Sequence, residues 1–320
     1  MTDVITLGEL LIDFTACGKN EQGQRLFAQN PGGAPANVAV AVSRLGGKSA
    51  FIGKVGNDMH GRFLKNTLEE NNVGCDHLIL DNNHFTTLAF VDVGQDGERE
   101  FSFARKHGAD KMLCADEIPA EAIHSCRIFH FGSVSLTDDP ARSATIFAAE
   151  TAKSAGVIVA YDPNYRASLW ENETTAKLHM RQAVQYADLV KISDEETALL
   201  TDESDFRNAA ERLVEDGVTV AVVTLGKDGA YVCTKDGGVK VDGFKADAID
   251  CTGAGDSFWG AFLLKIAQSG KKCADLTIDE LTEFARFANA AASICVEKSG
   301  AIPSLPTIEN VQHLTSQKRG

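Results

Sequence analysis

The chain has 320 residues, 44% hydrophobic and 24% charged, an ordinary globular balance in a sequence long enough to bury a substantial core. Its 45 acids outnumber 31 bases, and the net charge of −14 argues against nucleic acid and anionic membrane surfaces as partners. No run reaches the roughly 18 apolar residues of a membrane span. The start MTDVITLGEL lacks the basic and apolar parts of a secretion signal, so the cytoplasm is the expected compartment.

Val4 to Leu7 reads as a buried strand, followed by a polar, Gly-rich and irregular stretch over 14–35. Ala36 to Leu45 reads as a helix stopped by Gly46-Gly47, and Ala50 to Val55 as a strand. Asp58 can cap a helix over about 59–72 that carries Phe63, Leu64 and Leu68. Residues 87–93 and 99–104 alternate around a Gly94-Gln-Asp-Gly97 turn, which predicts a hairpin and hence a small accessory sheet. Strand patterns then recur at Ile128–Phe131, Val157–Asp162, Leu189–Ile192, Val218–Thr224 and Ala230–Thr234. Helical patterns lie at about 140–155, 175–187, 205–216, 256–269 and 279–296. The alternation predicts an α/β protein with a mostly parallel sheet covered on both faces, its ligands beyond the C-terminal ends of the strands.

Cys17, Cys75, Cys114, Cys126, Cys233, Cys251, Cys273 and Cys295 form no CxxC pair and no zinc spacing, and read as thiols in a reducing compartment. The basic end Gln317-Lys318-Arg319-Gly320 is too short for a binding arm. Gly46-Gly47-Lys48-Ser49 mimics the tail of a phosphate-binding P-loop. Its first glycine would fall at Val42, however, and no helix starts after Ser49. GAGDSFWG mimics a dinucleotide fingerprint but has Phe258 at the third glycine position. What is left is a Gly-rich loop, DCTGAGDSF from Asp250 to Phe258, that opens a helix. Its amides suit an anion. Asp256 among them is either a helix cap or a base aimed at a hydroxyl beside that anion, and this stretch alone leaves both open.

The loop DCTGAGDSF and the upstream Asn30-Pro-Gly-Gly-Ala-Pro-Ala-Asn37 together resemble, in this order, the two signatures of the ribokinase-like (phosphofructokinase-B group) sugar kinases. The resemblance covers nearly the whole chain. Phe129-His-Phe-Gly-Ser-Val-Ser-Leu136, Asp162-Pro-Asn-Tyr-Arg166 and Lys191-Ile-Ser-Asp-Glu-Glu196 make the fructokinases the subgroup it looks most like. It implies a three-layer α/β/α fold over residues 1–320 with a small β lid from about 12–36 and 84–106. It also implies transfer of the γ-phosphoryl group of ATP, with Mg2+, to a sugar hydroxyl.

Carried over residue by residue, the resemblance makes Asp256 the catalytic base and the amides of Gly253, Ala254, Gly255 and Asp256 the anion hole, with Arg166 near the transferred group. The sugar side comprises Asp13, Gly32, Gly33 and Asn37, with Phe103 and Arg105 at the end of the lid hairpin. The nucleotide side comprises Lys191, Ser193 and Glu196, then Thr224, Gly226 and Gly229, with Asn289 near adenine. Ser193 departs from the wider family, where an asparagine opens this motif. Asp250 and Thr252, with Cys295, Lys298, Gly300 and Ser304, match a monovalent-cation site suited to potassium. A homodimer through exposed lid edges is a further expectation. Fructose is the expected acceptor. Ribose, 2-keto-3-deoxygluconate or a nucleoside would use the same motifs, and a non-catalytic sugar-binding regulator is the reading from another class.

Overall fold

The computed structural model describes residues 1–93 and 99–317. The expected Gly94–Gly97 turn and residues 318–320 of the basic end lie outside the described residues. In chain order the strands are β1 (Thr2–Leu7), β2 (Leu11–Lys19), β3 (Arg25–Gly32), β4 (Ser49–Gly56), β5 (Gly74–Asp81), β6 (Leu88–Val93), β7 (Arg99–Ala104), β8 (Cys126–Gly132), β9 (Ile158–Asp162), β10 (Leu189–Ser193), β11 (Val220–Thr224), β12 (Ala230–Thr234) and β13 (Gly237–Val241). The helices are α1 (Ala34–Arg44), α2 (Met59–Glu70), α3 (Ala120–His124), α4 (Ala141–Ser154), α5 (Glu173–Val184), α6 (Thr197–Thr201), α7 (Phe206–Glu215), α8 (Ala254–Ser269), α9 (Ile278–Cys295) and α10 (Ile308–Gln317). None of the described helices is long and apolar enough to cross a membrane.

Among the described residues, nine strands form one sheet in the order β13-β12-β11-β10-β9-β8-β1-β4-β5. Pairing is parallel from β11 through β5 and antiparallel at β12 and β13. Side-chain alternation splits the strands between two cores. Ile5, Phe129, Tyr161, Val190 and Val223 pack with α3 to α7 on one face. Their chain neighbours Val4, Ile128, Ala160, Leu189 and Val222 pack with α1, α8 and α9 on the other. Both neighbours in each pair are apolar, which is why these strands read as continuous hydrophobic runs.

The second sheet has the order β3-β2-β6-β7, with β2 parallel to β6 and antiparallel to β3. The stretch 14–35, expected to be irregular, therefore holds most of β2, all of β3 and the start of α1. This sheet has no core on both faces to impose alternation, so its polar residues hid the strands. β5 and β13 escaped the pattern for a related reason. Both are edge strands, one carrying Cys75-Asp76-His77 and the other opening on two glycines. Asn172 caps α5, accepting from the Thr175 amide at 2.8 Å.

Both ends of the β6–β7 hairpin are tied to the larger sheet's body by buried or half-buried carboxylates. Asp58 caps α2 through the His60 and Gly61 amides and also accepts from the Thr86 amide and hydroxyl, each at 2.8 Å. Asp110 accepts from the Thr87 hydroxyl at 2.5 Å and from Arg105 Nε at 2.7 Å.

α8 is apolar on nearly every side because it lies between the sheet, α1 and α9. Gly260 sets its approach to α1: a Cβ there would sit 2.6 Å from Ala41 Cβ and 3.0 Å from the Val38 carbonyl. Gly260→Ala should therefore destabilise the protein by about 1–2 kcal/mol in urea denaturation, because overpacking outweighs the ~1 kcal/mol propensity gain of alanine in a helix. A variant as stable as the parent would show that α1 and α8 do not touch here.

Candidate active site

β1 sits between β8 and β4, so the chain leaves it in one direction toward β4 and β5 and later in the other toward β8 and β9. That reversal opens a crevice at the C-terminal ends of β1 and β8. A cavity of about 1010 Å³ occupies it, large enough for two small ligands side by side. The N-termini of α1 and α8 and the inner face of the small sheet meet there.

The Gly-rich loop turns into α8 at Gly253, whose φ of 81° is in the left-handed region. A Cβ on Gly253 would press on Ala301 at 3.0 Å, and one on Gly255 would lie 3.2 Å from Lys191 Nζ. Gly253, Gly255 and Asp256 line the cavity. Ala254 does not, and its amide donates to the Cys251 carbonyl at 3.2 Å, which removes it from the expected anion hole. Asp256 is the third residue of α8, and α8 has no side-chain cap. The carboxylate turns to other partners: Oδ2 accepts from Asn37 Nδ2 at 2.8 Å and Oδ1 from Asn164 Nδ2 at 3.4 Å. The capping role left open by the sequence is therefore not the one its side chain performs.

Burial pushes the Asp256 carboxyl above the usual aspartate range, with Asp162 adding to it, while Lys191, the Asn37 hydrogen bond and Arg166 pull it back. Lys191 is buried and ion-paired with Asp162. Burial alone would lower its pKa, but Asp162, Asp256 and Glu196 outweigh that and hold the ammonium charged. Arg166 is exposed on the cavity rim, where Nη1 donates to Asn164 Oδ1 at 2.6 Å and to the Tyr165 carbonyl at 3.0 Å. It reaches Asp256 through Asn164, a residue held at φ 44°.

Toward the small sheet, Asp13 stands on β2. It shares a row with Ala89 and Phe103, and Asp13 and Phe103 line the cavity. Gly32 makes room for it, since a Cβ would fall 2.2 Å from Asp13 Oδ2. Gly33, at φ 112°, passes so close to the Glu9 carbonyl that a Cβ would be 2.3 Å away. Asn37 lies one turn inside α1, its amide already bonded to the Gly33 carbonyl at 2.9 Å, so it is not a helix-start residue. Arg105 corrects the sequence reading: it is buried, does not line the cavity, and donates to Asp110, Thr137 Oγ1 and the Val134 carbonyl. Its guanidinium is committed to the foot of the hairpin and does not cover a ligand.

Glu9 was not singled out by the sequence, although it follows β1 directly and lines the cavity. It is 5% exposed. Oε1 accepts from the Ala34 amide at 2.9 Å, and Oε2 has no partner among the described residues. Burial raises its pKa to about 7, opposed by backbone hydrogen bonds and Arg105 and reinforced by Asp110.

At the other wing, Glu196 accepts from the Tyr165 amide at 2.6 Å and from the Ser193 amide and hydroxyl at 2.8 and 3.0 Å. Ser193, Asp194, Glu195, Glu196, Thr224 and Gly226 line this end. Gly229 and Asn289 do not. Gly229 packs against the Val241 carbonyl, and Asn289 is buried with its amide donating to the carbonyls of Val241 and Asp242, at 3.0 and 3.2 Å. That moves Asn289 from the expected adenine contact to a tie between α9 and β13. Asp250 Oδ1 accepts from the Thr252 amide and Oδ2 from the Gly300 amide, joining the two segments of the expected cation site. Cys295 and Ser304 are buried and bonded to each other at 3.0 Å, and Lys298 is exposed. Burial raises the Cys295 thiol to about 11, so it is neutral and offers no anionic ligand.

The geometry is that of an enzyme's cavity whose two wings meet at one buried carboxylate. The family model for pfkB family carbohydrate kinases matches residues 1–308, and the chain belongs to that family. It is similar to the fructokinase-2 of Zea mays, 42% identical over 318 residues that span 98% of this chain and 94% of the relative. Among solved structures it resembles a fructokinase with bound ATP from Xylella fastidiosa, with TM-score 0.92 and 33% identity over 100% of both chains. It also resembles a fructokinase double mutant from Vibrio cholerae O395 in fructose, ADP and potassium ion bound form, with TM-score 0.87 and 33% identity over 98% of both chains. The fold is the ribokinase-like one that these neighbours share.

Because Lys191 holds the Asp256 pKa down, Lys191→Met should move the acidic limb of the pH–rate profile to higher pH. The parent limb should already lie above the ordinary aspartate value of about 4. A limb unmoved by the substitution would uncouple the two residues.

Proposed function

We propose that the chain is an ATP-dependent fructokinase that converts D-fructose to fructose 6-phosphate. The observation that carries this is Asp256, a buried carboxylate at the mouth of a Gly-rich helix start, held by Asn37 and Asn164 between the two wings of the cavity. The relatives named above support the choice of fructose. Asp13, Gly33, Asn37 and Phe103 form the acceptor wing, and Lys191, Ser193, Glu196, Thr224 and Gly226 the ATP wing. The acceptor hydroxyl oxygen attacks the γ-phosphorus while Asp256 takes its proton and the bond to the ADP oxygen breaks. The Gly253, Gly255 and Asp256 amides and the positive end of α8 face the charge on the transferred group, and Arg166 orients Asn164 beside it.

Magnesium carried with ATP would meet carboxylate oxygens on this wall in Asp194 and Glu195, with Glu196, already bonded to Tyr165 and Ser193, acting through water. Among the described residues no cluster of three such side chains is preformed for a metal, so most of its ligands would come from phosphate and water. Potassium is assigned to the Asp250–Thr252 and Cys295–Ser304 segments, where Lys298 and Cys295 would give carbonyls alone. We treat residues 1–320 as one kinase domain whose lid is the small sheet. All eight cysteines are free, which fits the reducing cytoplasm. The lid's outer face carries Phe14, Phe27 and Phe90, the last two 38% and 39% exposed, with Phe14 stacked on Phe90 at 5.4 Å. We assign that face to a homodimer contact, and Phe90→Glu should shift the sedimenting species from dimer to monomer; a parent that already sediments as a monomer removes the assignment.

Asp256→Asn should cut turnover by about 10²–10⁴-fold while calorimetry still detects fructose and ATP binding. Near-parent turnover would overturn the base assignment. In an ATP-coupled assay over a sugar panel, no turnover on any sugar would sink the kinase reading, and best turnover on ribose would sink only fructose.

A further inference from the structure

The first turn of α1 lacks the usual means of ending a helix. Its cap position is Gly33, which has no side chain, and its first turn carries no acid to meet the positive end of the helix. The missing acceptor comes from Glu9, 25 residues upstream, whose Oε1 takes the Ala34 amide at 2.9 Å. The two segments are wedged together as well, because the Gly33 position tolerates no Cβ beside the Glu9 carbonyl. One turn further along α1 is Asn37, whose amide group grips Asp256 at 2.8 Å. We propose that Glu9 is a positioning residue for the transfer reaction: it holds the start of α1, and through it Gly33 and Asn37, in place against Asp256.

The surroundings of Glu9 fit its neutral form. Oε2 is buried without a partner among the described residues, an arrangement that a carboxylic acid tolerates far better than a carboxylate. The charged groups facing it are Arg105 and Asp110, which already bond each other at 2.7 Å. Arg105 also bonds Thr137 and the Val134 carbonyl, so among the described residues the cation nearest Glu9 is already engaged. With its pKa raised to about 7, Glu9 is an acid below that pH and ionises as the pH rises through it. Ionisation leaves a buried charge on Oε2 with no partner among the described residues, and relieving it by turning the side chain toward solvent gives up the contact with the start of α1.

The inference rests on the kinase reading, and the experiment separates the two. Turnover of the parent, Glu9→Gln and Glu9→Ala is measured from about pH 5 to about pH 9, alongside sugar and ATP KM values and the folded fraction. Glutamine keeps an oxygen for the Ala34 amide and cannot ionise. It should hold kcat within about twofold of the parent near pH 6, and lack a decline that the parent shows above about pH 7. Alanine removes the acceptor and should lower kcat about tenfold per folded molecule and raise the sugar KM, with the ATP KM changed less than about twofold. If the alanine protein is folded and kinetically like the parent, or if the glutamine protein keeps the same decline at high pH, the proposal is overturned. Should alanine fail to fold, the glutamine pH profile decides. A parent inactive on every sugar is the distinct result that removes the kinase reading itself.

Discussion

The hydrogen bond from Asn37 to Asp256 joins two helices that start 220 residues apart in sequence, and the rest of the site is arranged around it. For it to form, α1 and α8 must approach closely, which Gly260 permits by leaving space for Ala41 and Val38. The same bond fixes the direction of the Asp256 side chain, which would otherwise be drawn to the amides of its own helix start. A carboxylate held away from those amides leaves the positive end of α8 to an anion. The local packing of a glycine in a helix interior is therefore what keeps the start of α8 apart from the carboxylate that grows from it.

Behind this pair lies a second constraint, the burial of Asp256, Asp162 and Lys191 in one small volume. Two carboxylates that close, with one lysine between them, form a system in which no member is removed without consequence for the others. Breaking a buried pair by deleting one partner typically costs about 3–5 kcal/mol, because the other charge is left buried and uncompensated. The Asp162 carboxylate also accepts from the Asn164 amide at 3.2 Å. The loop that reaches Asp256 from β9 is thus anchored to the ion pair that sets its charge.

How far the sequence could be read depended on how each residue is surrounded. Val4, Ile128 and Leu189 were legible because both faces of the large sheet are covered, which leaves apolar runs in the chain. Residues 14–32 were not, because these strands are covered only in part and their outer ends are exposed, so no sustained alternation marks them. The Gly-rich loop could be found because glycine at tight turns is a local signal, and Asn37 was found only through the motif that carries the resemblance. Arg105 and Asn289 were placed wrongly for the converse reason. Nothing local tells a buried arginine bonded to Asp110 from one facing a ligand, and the partners of Asn289 lie on β13, 47 or more residues away. Glu9 left no trace because its role comes from Gly33, a residue that offers no side chain.

The hairpin of the small sheet is pinned at both feet, by Thr86 and Thr87 on one side and Arg105 on the other. The sheet is held on its other flank as well, where Gln29 Nε2 lies 3.2 Å from His60 Nδ1 and Phe14 packs edge-on against the His60 ring. Asp13, Ala89 and Phe103 lie in the register row one or two residues from the pinned feet. Phe27, opposite Ala16, is three residues further along β2. The row that faces the cavity is therefore fixed by its nearness to these anchors, and the far edge around Phe27, which lies beyond them, is where the sheet tolerates change in sequence.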